Sequence, residues 1–170
     1  MAENKKFFDK NKEQEYVDFV INVRRVTKVT KGGKRFSFSA FVVTGDKNGK
    51  IGIGLGKSKE ATSAITKATN HARKNLIKIA VRGTTLPYPV VGKHGASKVE
   101  IRPASKGTGV IAGGSVRHIM LSIGVEDVLA KSVGSSNPIN VVKATLNALS
   151  QLRTAQRLAF LRQPILSPSA

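Results

Sequence analysis

Residues 51–56 read Ile-Gly-Ile-Gly-Leu-Gly. Successive side chains on a strand point to opposite faces, so alternation with period two predicts a strand. One face carries Ile51, Ile53 and Leu55. The other carries Gly52, Gly54 and Gly56, and so has no side chains. A strand face left bare in this way fits a place where a second backbone comes close. The sequence offers two candidates for that backbone: the helix predicted to follow, and an RNA strand. A nucleotide-binding loop is a poorer fit. The phosphate-binding pattern ending in Gly56-Lys57-Ser58 needs a glycine where Ile51 stands, and a dinucleotide fingerprint opening at Gly52 puts its last glycine on Lys57.

Upstream, Val17, Phe19, Ile21 and Val23 share one parity, and Phe36, Phe38, Ala40 and Val42 share another. Gly32-Gly33 lies between the two runs, which predicts a β-hairpin. A second turn, Gly45-Asp46-Lys47-Asn48-Gly49, leads into the glycine-faced strand. A helix is expected over residues 59–79, with Ala61, Ala64, Ile65, Ala68, Ala72 and Leu76 as its apolar stripe. This gives a β-β-β-α domain over residues 17–80, preceded by a mixed-charge arm over 1–16. Pro87, Pro89 and several glycines place a linker near residues 81–85. A second domain over 86–160 begins with extended segments near 86–91 and 97–103, followed by a glycine-rich loop over 103–115. Next come a helix with Val116, Ile119, Met120 and Ile123 on one face and a strand near 128–133. Asn137 suits a helix N-cap and Pro138 a first helical turn. The last helix is expected to reach about residue 160, with Ile139, Val142, Leu146 and Leu149 inward. Residues 161–170 read as a tail. The fold class is α+β, with two domains, the second of β-β-α-β-α order.

Charge selects the partner. The 170 residues hold 29 Lys and Arg against 10 Asp and Glu, a net charge of +19. Such an excess repels itself in the compact state and favours a polyanion as its neutraliser. The charge lies in both halves: 18 bases and 7 acids in residues 1–80, 11 bases and 3 acids in residues 81–170. The absence of Cys excludes disulfides and thiolate metal sites. Neither a secretory signal nor an apolar run of membrane-spanning length is visible, so a cytoplasmic location is expected.

The densest basic cluster is the hairpin tip, with Lys28, Lys31, Lys34 and Arg35 around Gly32 and Gly33. Arg24 and Arg25 extend it along the strand. Glycines allow close approach to a phosphate and the cations neutralise it. The alternative is an ordinary hairpin with lysines on its edge. Lys57 and Lys59 flank Ser58 at the expected helix start, where a phosphate can be received. Lys67, His71, Lys74 and Lys78 are spaced for one helix face. RNA contact and a plain solvated face are equally good accounts of them, and Arg73 lies beside. The loop over 103–115 offers backbone amides to an anion, with Lys106 and Arg117 nearby. Catalysis has little material. His71, His94 and His118 are isolated, and Glu126 and Asp127 are adjacent and so point apart on a strand. No cofactor, metal or small-molecule substrate is expected, and no enzyme. No recognition-helix or zinc pattern favours DNA, and no basic amphipathic helix favours a membrane. Phe36 and Phe38 alternate as core residues, which argues for backbone recognition over base stacking. These readings converge on a two-domain α+β binder of structured RNA.

The chain also resembles the bacterial small-subunit ribosomal protein family conventionally numbered five. The resemblance rests on Val29-Thr-Lys-Gly-Gly-Lys-Arg-Phe-Ser-Phe-Ser-Ala, Val43-Thr-Gly-Asp and Gly49-Lys-Ile-Gly-Ile-Gly-Leu-Gly-Lys in the first half. In the second half it rests on Pro103-Ala-Ser-Lys-Gly-Thr-Gly, Ala112-Gly-Gly and Gly134-Ser-Ser-Asn-Pro-Ile-Asn-Val-Val-Lys-Ala-Thr. It implies a first domain similar to double-stranded-RNA-binding domains and a second that is an α/β sandwich with a left-handed crossover. It implies binding of small-subunit rRNA, a role in assembly, a position on the side where messenger RNA enters, and a contribution to decoding accuracy. The implied partners are the small-subunit proteins numbered four and eight. By motif, Lys31-Gly32-Gly33-Lys34 matches the loop that approaches rRNA near the spectinomycin site. Gly107, Gly109 and Arg117 match the region facing protein four. A free-standing RNA chaperone is the competing function. A phosphotransferase sharing the second-domain fold is a third, weakened by the missing phosphate loop.

Overall fold

β1 (Val17–Thr30), β2 (Gly33–Gly45) and β3 (Lys50–Ser58) form an antiparallel meander where the alternating runs predict strands. This is a computed structural model that describes residues 16–162, with side chains to Leu161. All but Tyr16 of the expected arm, and all of the expected tail beyond Arg162, lie outside the described residues. The helix α1 (Ala61–Lys74) crosses the meander on the glycine face of β3. A Cβ at Gly52 would land on the carbonyl oxygen of Ala72, one at Gly54 on that of Ala68, and one at Gly56 on that of Ala64. Two residues along a strand advance about 6.6 Å, and four along a helix about 6 Å. Three glycines therefore meet three alanines in step. Of the two candidate backbones for the bare face, the helix is the one that occupies it.

Three local expectations are corrected. A bulge in the pairing between Val20 and Asn22 reverses the parity of β1, so Val23 leaves the face of Phe19 and Ile21 and is exposed. Phe36 is not a core residue; it is 49% exposed, with the Arg25 guanidinium 4.8 Å from its ring centre. The helix ends at Lys74, not near 79. Asn75 leaves helical geometry and its side-chain amide donates to the carbonyl of His71 at 3.2 Å. Residues 76–78 then form β4 (Leu76–Lys78), antiparallel to the free edge of β3. That edge holds backbone groups that need partners, and they outweigh the helical spacing of Leu76.

The second half forms a four-stranded sheet of β5 (Val90–His94), β6 (Ser97–Pro103), β7 (Val110–Ile111) and β8 (Val128–Gly134), in the order β5-β6-β8-β7. β7 and β8 are parallel and joined through α2 (Gly114–Ile123). The two-residue β7 joins the expected order. α3 (Pro138–Ser150) starts as expected, with the Asn137 side chain accepting from the Ile139 amide at 3.3 Å. It stops before residue 160. Tyr88 hydroxyl donates to the Gln151 carbonyl at 3.0 Å and accepts from the Arg153 amide at 2.9 Å, which ends the helix, and α4 (Ala155–Arg162) follows separately. Gly92 repeats the device of β3, pressed on the α3 backbone at Ala144 and Ala148.

One apolar core runs through both halves. Phe41, Val43 and Ile51 from the first sheet pack in the same cluster as Ile119, Met120 and Ile123 of α2. The β2–β3 turn completes the seam. Its amides at Lys47 and Gly49 donate to the carbonyls of Ser122 and Ile123, each at 3.0 Å. A helix C-terminus leaves such carbonyls without partners, and here the other half supplies them.

Candidate nucleic-acid interface

β3 pairs with β2 only from Phe38 onward. Beyond that point the hairpin continues as two strands alone, from the Val26–Ser37 pair to the Thr30–Gly33 pair. The turn residues are Lys31 and Gly32, one position earlier than the Gly32-Gly33 expected, and Gly33 (φ 123°) closes the ladder. Thr30 hydroxyl donates to the Gly33 carbonyl at 3.1 Å and steadies the tip. No acid occurs between Val23 and Thr44, so the arm is uniformly basic. Lys28 lies directly opposite Arg35. Like charges so placed destabilise a strand pair, and a phosphate between them removes that penalty. Lys31 and Lys34 are exposed on the same arm, and Arg24 and Arg25 are exposed at its root, where β3 begins to pair.

At the root of the arm a broad open cleft of about 820 Å³ is lined by Val26, Lys28, Ser37, Lys57, Lys59 and Lys67, among others. The fold thus brings together lysines from β1, β3, the β3–α1 junction and α1. Lys67 joins the group only because α1 runs back along β3. That convergence was not legible before the register was known. The helix start is less favourable to an anion than expected: Glu60 holds the N-cap position and accepts from Ser63 hydroxyl at 3.2 Å. What the cleft offers an anion is therefore its ammonium groups.

The expected helix stripe divides. Lys67 and Lys74 are exposed on α1, whereas Lys78 belongs to β4. His71 Nδ1 donates to the Leu55 carbonyl at 3.2 Å and pins the helix to β3. Arg73 is engaged: it pairs with Asp18 at 2.8 Å and lies 5.4 Å from the ring centre of Tyr16.

In the second half, the glycine-loop amides do bind an anion, and it belongs to the chain. The amides of Gly107 and Gly109 donate to Asp127 Oδ1 at 2.9 and 3.0 Å. Asp127 is 3% exposed. The Gly109 amide, opposed by burial and helped by Thr84 and the Gly107 and Thr108 amides, holds its carboxyl below the usual value of 3.8. Gly107 (φ 92°) and Gly109 (φ 77°) need the left-handed region to aim those amides. Adjacency to Glu126 counts against Asp127 as half of a catalytic pair, and the glycine loop before it is the sequence signal for the role it has instead. Lys106 and Arg117 are exposed, near this loop and outside the lysine cleft.

Comparison with known proteins decides the family. The ribosomal protein S5, N-terminal domain family model matches residues 16–80, and the ribosomal protein S5, C-terminal domain family model matches residues 92–162. The chain belongs to the ribosomal protein S5 family. Relatives named small ribosomal subunit protein uS5 include one from Flavobacterium psychrophilum, 57% identical over 83% of this chain and 81% of its own. Another, from Lawsonia intracellularis, is 52% identical over 89% of this chain and 93% of its own. One S5 domain model on each sheet agrees with the two-domain α+β reading. S5 proteins are structural and not enzymes, and so is this chain.

Proposed function

We propose that the chain is a structural component of the small ribosomal subunit in the cytoplasm, and that it grips rRNA through the basic arm and the lysine cleft at its root. The observation that carries this is the geometry of the arm: an acid-free two-stranded extension, free of a third strand, opening into a cleft where lysines from three elements meet. Lys28, Lys31, Lys34, Arg35, Lys57 and Lys59 neutralise phosphates, with Arg24 and Arg25 further along β1 and Lys106 a second contact on the other half. Gly32 and Gly33 keep the tip thin enough for a phosphate backbone to approach. Bound in this way, the arm fixes rRNA helices during assembly. The loop bearing Gly107 and Gly109, with Arg117 beside it, faces the protein numbered four and tunes decoding accuracy. Protein eight and messenger RNA near its point of arrival complete the surroundings.

The test is small-subunit rRNA binding as a function of salt. Lys31→Glu with Lys34→Glu is expected to weaken binding and to make the salt dependence shallower by about two charges, one per lost phosphate contact. An unchanged slope removes the arm from the site, and equal affinity for unrelated RNAs favours the chaperone reading. For accuracy, Arg117→Ala is the clean probe, because substituting Gly109 also strains the loop that holds Asp127. We expect Arg117→Ala to change misreading in a reconstituted translation assay while rRNA affinity stays within about twofold; equal loss of both counts against a protein interface.

A further inference from the structure

The second sheet has one face against α2 and α3, and the other face is exposed among the described residues. Its register places Val91, Glu100 and Lys131 in one row across β5, β6 and β8. Arg102, Leu129 and Ile111 form the next row, and Lys93, Lys98 and Val133 the row on the other side. Val91, Ile111, Leu129 and Val133 are 39–56% exposed on this face. A hollow of about 290 Å³ opens between Glu100, Arg102, Ile111, Leu129 and Lys131. Four cations stand among these apolar side chains. The one carboxylate in these rows, Glu100, is taken by Arg102 at 2.5 Å, and Lys93, Lys98 and Lys131 have no ion pair among the described residues. Lys93 and Lys98 are also direct cross-strand neighbours, an arrangement that destabilises the sheet unless an anion spans them.

We propose that this face docks an acidic polypeptide segment of a partner protein, one that sets carboxylates on the three lysines and apolar side chains in the hollow. The interleaving argues for polypeptide over RNA. A phosphate backbone has nothing to bury against Val91, Leu129, Ile111 and Val133, and no aromatic residue stands in these rows to stack on a base. Docking is on the face, not along the edge of β5. The Asn147 side chain donates to the Lys93 carbonyl at 3.1 Å and the Gln151 side chain to the Val91 carbonyl at 3.4 Å, so side chains at the end of α3 already take two of the edge carbonyls that an added strand would use.

The test uses the full chain and fluorescence anisotropy with three labelled probes: a peptide of about ten residues alternating Glu and Val, one of equal length alternating Glu and Ser, and a uridine oligonucleotide of equal length. The Glu–Val peptide is expected to bind at least about tenfold more tightly than the Glu–Ser peptide. Leu129→Ser with Val133→Ser removes that difference, and Lys98→Glu weakens both peptides. The second variant changes only an exposed side chain and carries the test if the first fails to fold. Equal binding of the two peptides reduces the face to a charged surface and overturns the proposal. So does tighter binding of the uridine oligonucleotide that is lost in the Leu129/Val133 variant, or no peptide binding at all.

Discussion

Asp127 shows what a single residue does when the chain supplies its own anion site. Its carboxylate is held ionised by the loop amides, the Gly109 amide foremost, against the opposing effect of burial. A carboxyl with a folded pKa below its unfolded value contributes stability that is present above the unfolded pKa and is lost as pH falls through the folded one. Asp127→Asn keeps the shape and one acceptor oxygen but removes the charge. We therefore expect the stability gap between wild type and Asp127→Asn, measured by urea unfolding, to be flat above about pH 5 and to close below about pH 4. A gap that is unchanged at pH 3 would mean that charge is not what the loop holds. The glycines around Asp127 were visible in the sequence as an amide-rich loop; their partner was not, because it lies 18 residues or more further along the chain. The Gly52–Gly54–Gly56 face was legible for the opposite reason, since the helix that covers it follows directly in sequence. Phe36 was misread because alternation reports which side of a strand a residue occupies, not whether anything covers that side.

At the scale of elements, α1 combines two duties on one helix. Its inner alanines lie on the glycines of β3, while its outer basic residues divide between Arg73, paired with Asp18, and the exposed Lys67 and Lys74. Arg73 is held by Asp18, and Asp18 also accepts from Thr44 hydroxyl at 2.5 Å. Arg73→Gln is expected to cost up to about 1 kcal/mol of stability, as for a partly exposed ion pair, and to leave the salt dependence of rRNA binding unchanged. Lys67→Gln is expected to do the reverse, leaving thermal stability unaltered and making the slope shallower by about one charge. Thermal melts and salt titrations on the two variants separate these outcomes, and a slope change in Arg73→Gln alone would reverse the assignment. The sequence placed Lys67, His71, Lys74 and Lys78 on one stripe because helical spacing runs on past Lys74 without a proline or glycine. The break is made from outside the helix, by a strand edge that needs residues 76–78. α3 follows the same rule. Tyr88 ends it from 63 residues away, a distance over which spacing carries no information.

The whole molecule is held at a seam that the sequence pattern did not reveal. Both domains were legible as separate runs of strands and helices, since each has its own local periodicity. The surface between them is built from residues that alternation assigned to the interior of one domain only. β2 is buried on both sides: Val42 and Ala40 face α1, while Phe41 and Val43 face the second half. The β2–β3 turn adds hydrogen bonds to the end of α2, and Gly124, at φ 89°, allows the close approach of Lys47. A core shared in this way should make the two sheets open together. Ile51 is fully buried in the shared cluster, and Ile51→Ala is expected to cost about 2–5 kcal/mol. If unfolding is one cooperative event, that loss is felt by every amide that exchanges only through global opening. Native-state hydrogen exchange should then speed up by the same factor for the slowest amides of β2 and β3 and for those of β6 and β8, although Ile51 lies in the first sheet. Acceleration confined to the first sheet would instead mean that each half opens alone and that the seam contributes little to global stability.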